Sequence, residues 1–121
     1  MIPNYIIEKV TLIAKKSNVK RSKLGAILFT PNGRIISFTN NRKIYGVDGI
    51  FTVHAEAHLI AKSHKLRAER FGQLCMLVVR YMSGSRQLSL AKPCDRCTYL
   101  LRETNWKVYY SNENGDIQEL N

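Results

Sequence analysis

Apolar residues recur at two different periods along this chain. Ile6, Ile7, Val10, Ile13 and Ala14 fall at i, i+3, i+4 and i+7 spacing, which lays one apolar stripe along a helix over residues 5 to 16. Asn4 stands where it could cap that helix. The pattern then changes: Leu24 to Thr30 and Arg34 to Thr39 are apolar, β-prone runs divided by Pro31-Asn32-Gly33, a combination that predicts a hairpin. Lys43 to Val53 reads as a loop broken by Gly46, Asp48 and Gly49. Helical spacing returns from about Thr52 to His64, and Lys62, Lys65, Arg67 and Arg70 make its end basic, which suits a helix C-terminus. Leu74 to Met82 is nearly continuous apolar sequence, as in a central strand buried on both faces. A polar loop from Ser83 to Lys92 follows, and Pro93 opens a last helix running to about Glu103. Lys107 to Ser111 and Ile117 to Leu120 are strands around a Gly-containing turn. A parallel return would need about a dozen connecting residues, so these two form an antiparallel hairpin.

Mixed strands and helices predict an α/β fold, and 121 residues suit one domain, 1–121, with a modest three-layer core. There is no apolar run long enough for a membrane span and no signal-peptide pattern, so no membrane partner and a cytoplasmic location are expected. Three cysteines, two of them in a CxxC, fit metal ligation in a reducing compartment better than a disulfide framework. Cys75 is left to pack. The charge is lopsided, 19 Lys and Arg against 9 Asp and Glu, and such an excess favours polyanions without proving one. Lys15, Lys16, Lys20, Arg21 and Lys23 form a run that reads as a solvated loop or a phosphate-binding edge.

Two short stretches carry candidate chemistry: His54-Ala55-Glu56, at a helix start, and Pro93-Cys94-Asp95-Arg96-Cys97. One His and two Cys can fill three of zinc's four tetrahedral positions, and a site left open in that way is of the catalytic kind. Glu56, two residues from His54, is placed to take a proton from water without binding the metal. His58 lies one turn beyond His54, but the acid's position does not match the protease H-E-x-x-H pattern, so it reads as a packing or supporting residue. A closed structural zinc knot would need a fourth ligand, for which His58 and Cys75 are the candidates. That knot would leave Glu56 without a purpose. A redox CxxC is the rival where the motif stands alone, and its pairing with His54-Ala55-Glu56 argues against it. Gly25, at the mouth of the first strand, and Phe51 and Tyr45, as walls for a base, are candidate substrate contacts with Ala55.

His54-x-Glu56 followed by Pro93-Cys94-x-x-Cys97 resembles the signature of the zinc-dependent nucleobase deaminases, the cytidine deaminase superfamily. The resemblance implies a three-layer αβα fold around a mixed sheet of about five strands, with Zn2+ on His54, Cys94 and Cys97 and with Glu56 as the proton carrier. It also implies a substrate-contacting Asn at the end of the second strand; gap-free alignment favours Asn41, with Asn40 next. The terminal hairpin resembles the free-nucleoside, nucleic-acid-editing and toxin-like branches. Free-nucleoside enzymes usually place a Glu two residues after that Asn, where this chain has Arg42 or Lys43. The expected substrate is therefore cytosine in a nucleotide or single-stranded nucleic acid, deaminated to uracil with release of ammonia. Free cytidine or deoxycytidine, an adenine base, and a catalytically silent nucleic-acid-binding module are the alternatives. Members of this size commonly form homo-oligomers.

Overall fold

The structure is a computed structural model describing residues 2–46, 49–63 and 72–120. Alternation along the strands divides its interior in two. On β1 (Ser22–Phe29) and β5 (Cys75–Met82), Ile27, Phe29, Cys75, Leu77 and Val79 enter one apolar cluster, while Ala26, Leu28, Met76 and Val78 enter the other, as the period of two requires. Helix α1 (Asn4–Lys15) covers the first face with Ile6, Val10, Ile13 and Ala14. Helices α2 (Ala55–Ser63) and α3 (Asp95–Arg102) cover the second with Ala55, Leu59 and Leu101. The result is the expected αβα layering.

With β2 (Ile35–Asn40), β7 (Lys107–Ser111) and β8 (Ile117–Glu119), the main sheet runs β2-β1-β5-β7-β8. Its β5–β7 pair is parallel and the other adjacent pairs are antiparallel, so the sheet is mixed and ends in the terminal hairpin read from the sequence. Two segments expected to be loops are strands. Residues 43–53 fall largely in the hairpin of β3 (Arg42–Gly46) and β4 (Gly49–Val53); the breakers Gly46 and Gly49 pair at its tip and leave the β-prone residues on either side of them free to form the arms. Within the polar loop after β5, β6 (Gln87–Ser89) pairs with Arg80–Met82. The expected cap also differs: Asn4 is already helical and Pro3 is the N-cap, with no side-chain cap bond. The expected basic extension at Lys65, Arg67 and Arg70 lies outside the described residues.

Gly25 marks the closest approach of α1 to the sheet. A Cβ there would sit 2.6 Å from the Val10 carbonyl oxygen and 2.9 Å from the Ala14 amide nitrogen, both backbone atoms. Gly33 closes the β1–β2 turn at φ +92°, a left-handed conformation suited to glycine, and its carbonyl accepts a bond from Tyr5 Oη. Among the described residues, no helix is long and apolar enough to cross a membrane.

Candidate metal centre

Two helix starts meet over the second face of the sheet. His54 occupies the joint between β4 and α2, and its carbonyl accepts the first helical bond from His58 N at 3.0 Å. Cys94 is the extended N-cap of α3 (φ −66°, ψ 168°), its carbonyl accepting from Thr98 N at 2.8 Å. Cys97, on the first turn, is 2% exposed. His54 Nδ1 lies 3.8 Å from Cys94 Sγ and 3.6 Å from Cys97 Sγ, and all three donor atoms fall within 4.8 Å of one another. Zinc bonds of about 2.0–2.1 Å to nitrogen and about 2.3 Å to sulfur, arranged tetrahedrally, put N and S roughly 3.6 Å apart. The two N–S separations therefore match the edges of a zinc tetrahedron, with the third edge, between the sulfurs, inside 4.8 Å.

Among the described residues, this cluster holds His54, Cys94 and Cys97 alone. Cys75 packs under α1 instead, and His58 stands outside the cluster, its buried Nδ1 without a described partner. Among the described residues three donors thus converge, which leaves a fourth tetrahedral position for another ligand.

Glu56, on the first turn of α2, is 3% exposed. Burial raises its carboxyl above the ordinary value, opposed by its backbone hydrogen bond, by the charges of His54 and Arg80, and by the Cys97 thiol. Its Oε1 is buried with no partner among the described residues. An unpaired buried carboxylate oxygen is costly; beside three convergent metal donors, it fits a site that takes a polar ligand. Burial first, and then Glu56 and Cys94, push the Cys97 thiol up to about 12. The positive end of the helix dipole, which favours a thiolate on a first turn, is outweighed, and a divalent cation is what reverses that balance.

Sequence reasoning missed Arg80. It lies on β5, its charge acts on Glu56, and its buried Nε has no partner among the described residues. A lone cation inside an otherwise apolar central run was the available signal.

The residues expected to meet substrate are placed differently from one another. Asn41 is 3% exposed; its Oδ1 accepts from Leu24 N at 2.9 Å and lies 2.6 Å from Ser17 Oγ, and its Nδ2 donates to the Ser22 carbonyl at 2.9 Å. That side chain ties the start of β1 to the segment after α1. Asn40 donates to the Ile13 carbonyl at 3.1 Å and accepts from Arg42 Nε at 3.2 Å. Gly25 faces α1, on the opposite side of the sheet from α2, so helix packing accounts for its missing side chain. Ala55 is buried, and its carbonyl accepts from Thr39 Oγ1 at 2.7 Å, which pins the start of α2. Phe51 and Tyr45 belong to β4 and β3, whose side chains there lie outside the described ones.

The chain matches the model of the cytidine and deoxycytidylate deaminase zinc-binding region over residues 2–112. By sequence, no curated protein matches. Among solved structures, a cytidine deaminase from Burkholderia pseudomallei is similar with a TM-score of 0.63 at 19% identity, over 99% of this chain and 92% of that one. A cytidine deaminase from Mycobacterium leprae is similar with a TM-score of 0.59 at 20% identity, over 97% and 93%. At such identities the likeness shows the shared fold. The family match spans both stretches that bring the donors together, and this chain belongs to the cytidine and deoxycytidylate deaminase family, zinc-binding hydrolases that act on a cytidine-type cyclic amidine.

Proposed function

We propose that the chain hydrolyses a cytosine base, carried on a nucleotide or a single-stranded nucleic acid, to uracil and ammonia. His54, Cys94 and Cys97 hold the zinc, and Glu56 carries the protons. The observation that supports this most is the buried Glu56 carboxylate, with Oε1 unpartnered among the described residues beside three donors spaced for zinc. When bound, zinc supplies a Lewis acid that lowers the pKa of water toward about 7. Glu56 takes the proton of the attacking water and delivers it to ring N3 as the new C4–O bond forms; it then takes the remaining proton of the C4 hydroxyl and passes it to the amine, so that C4 becomes a carbonyl as the C4–N bond breaks and ammonia leaves. A carboxyl raised by burial takes up a proton more readily than a solvated one, which suits a group that must hold the water proton until it is passed on. Thr39, bonded to the Ala55 carbonyl, fixes the helix start that aims Glu56.

The phosphate-bearing part of the reading rests on charge. Net charge is +10, and Arg42 and Lys43 stand where free-nucleoside enzymes of the family usually carry an acid. A free-nucleoside reading is favoured by one observation, the terminal β7–β8 hairpin on a fold shared with two proteins named cytidine deaminases. Incubating zinc-loaded protein with dCMP, cytidine and a cytosine-containing oligonucleotide, with uracil read by mass, separates them. Turnover of dCMP or the oligonucleotide in preference to cytidine is expected. Turnover of cytidine alone would reject the phosphate-bearing reading, and turnover of none would reject cytosine deamination.

A further inference from the structure

Strand β2 is an edge of the main sheet, with α1 on one side and α2 on the other. Between them lies a cleft of about 480 Å³, into which Lys9, Lys16, Arg42 and Lys62 converge with Phe38 and His58 and without an acidic residue. Phe38 is 41% exposed, with Lys9 Nζ 5.1 Å and Lys62 Nζ 5.5 Å from its ring centre. Lys62 Nζ also donates to the Phe38 carbonyl at 3.2 Å. The buried Nδ1 of His58 has no partner among the described residues. The described residues hold one salt bridge, Lys107 with Glu119 on β7 and β8, so no carboxylate among them neutralises the cleft. The imbalance is regional as well: residues 1–47 contain nine Lys and Arg and one acid, Glu8.

Lysine commonly guards an edge strand against pairing with other chains. That accounts for Lys62, but not for Lys9 and Lys16, which reach the cleft from the helix on the other face. Four cations on three elements exceed what one phosphate needs. An exposed ring set among them adds the second half of the pattern by which proteins hold single strands, a charged track for the backbone with an aromatic platform for bases.

We propose that this cleft is a docking groove for single-stranded nucleic acid, an assignment that rests on the polynucleotide form of the substrate proposed above. Phosphates lie along Lys9, Lys16, Arg42 and Lys62, and a base stacks on Phe38 as one ammonium leaves the ring for a phosphate. The groove leads toward the metal centre, because His58 is one turn of α2 from His54, about 6 Å along the helix axis.

The test is fluorescence anisotropy of a labelled oligodeoxycytidine with the zinc-loaded full chain, between about 50 and 200 mM salt. Each phosphate contact on a single strand contributes about 0.7 to the slope of log affinity against log salt. The Lys9→Gln/Lys62→Gln double variant should therefore flatten the slope by about 1.4, and Phe38→Ala should weaken binding about tenfold or more. Lys107→Gln, which removes a cation at the other end of the sheet, should leave the slope unchanged. Zinc content and thermal midpoint, measured on each variant, report its folding. Oligonucleotide binding by the parent with an unaltered slope in the double variant and full affinity in Phe38→Ala would overturn the groove while leaving a polynucleotide substrate standing. Absence of oligonucleotide binding by the parent would overturn both. Binding of dCMP that the double variant loses, without oligonucleotide binding, would assign the cleft to a single nucleotide and overturn the groove.

Discussion

Replacing Asn41 by Ala separates a residue that holds the fold from one that holds the substrate. The side chain is 3% exposed and serves Leu24 N through Oδ1 and the Ser22 carbonyl through Nδ2, each at 2.9 Å. Ser17 Oγ keeps an alternative acceptor, since the Asn41 backbone carbonyl also lies 2.6 Å away. The substitution therefore orphans one backbone donor and one backbone acceptor. A buried unsatisfied group costs about 1–3 kcal/mol, but Leu24 and Ser22 are only half-buried and water recovers part of the loss. The expected destabilisation is about 2–3 kcal/mol. In urea the midpoint should fall with little change in slope, and the thermal midpoint should drop by about 6–15 °C for a chain of this size. Zinc-saturated Asn41→Ala, assayed below its melting range, should keep the parent's KM for its cytosine substrate. An unchanged urea midpoint together with a KM raised tenfold would refute the reasoning and place Asn41 in the substrate site.

Gly25→Ala presses a methyl against two backbone atoms of α1, so urea unfolding should show a loss of about 1–3 kcal/mol or more. Alanine in place of a strand glycine without such crowding gains about 0.5–1 kcal/mol, and a gain here would show that α1 does not pack as described. In the metal-free protein, Cys97 keeps its proton up to about pH 12 while an ordinary thiol ionises near 9. The folded state then binds more protons than the unfolded chain over that interval, so stability from this residue is intact below pH 9 and falls as pH rises toward 12. Zinc holds Cys97 as a thiolate, so the gap between urea midpoints measured with and without zinc should widen as pH rises toward 12. Parallel curves would show that zinc does not engage Cys97.

Much of this arrangement is readable from the chain because its signals are local. The helical stripe from Ile6 to Ala14, the Pro31-Asn32-Gly33 turn and the short link to the last strand each decide an element within a few residues. The donor set is legible for a related reason: His54 and Cys94 each begin a helix, and Cys97 follows Cys94 by one turn. What escapes the sequence is what depends on distant partners. The purpose of Asn41 is set by Ser17, Ser22 and Leu24, and that of Gly25 by the backbone of a helix more than ten residues earlier. The β3–β4 hairpin hides behind glycines that mark its tip but resemble loop punctuation. Arg80 draws its significance from a carboxylate on another element, and the cationic cleft exists only because two helices from opposite faces flank the same sheet edge.

The central claim is that Glu56 moves protons at a zinc site built by His54, Cys94 and Cys97. Uracil production by zinc-loaded Glu56→Gln, measured beside the parent on the parent's best cytosine substrate, tests it most directly. The glutamine preserves shape and removes the transferable proton. The account predicts one bound zinc per chain in both proteins and a rate about 10²–10⁴-fold lower in the variant. A variant that holds its zinc and turns over at the parent's rate would contradict it.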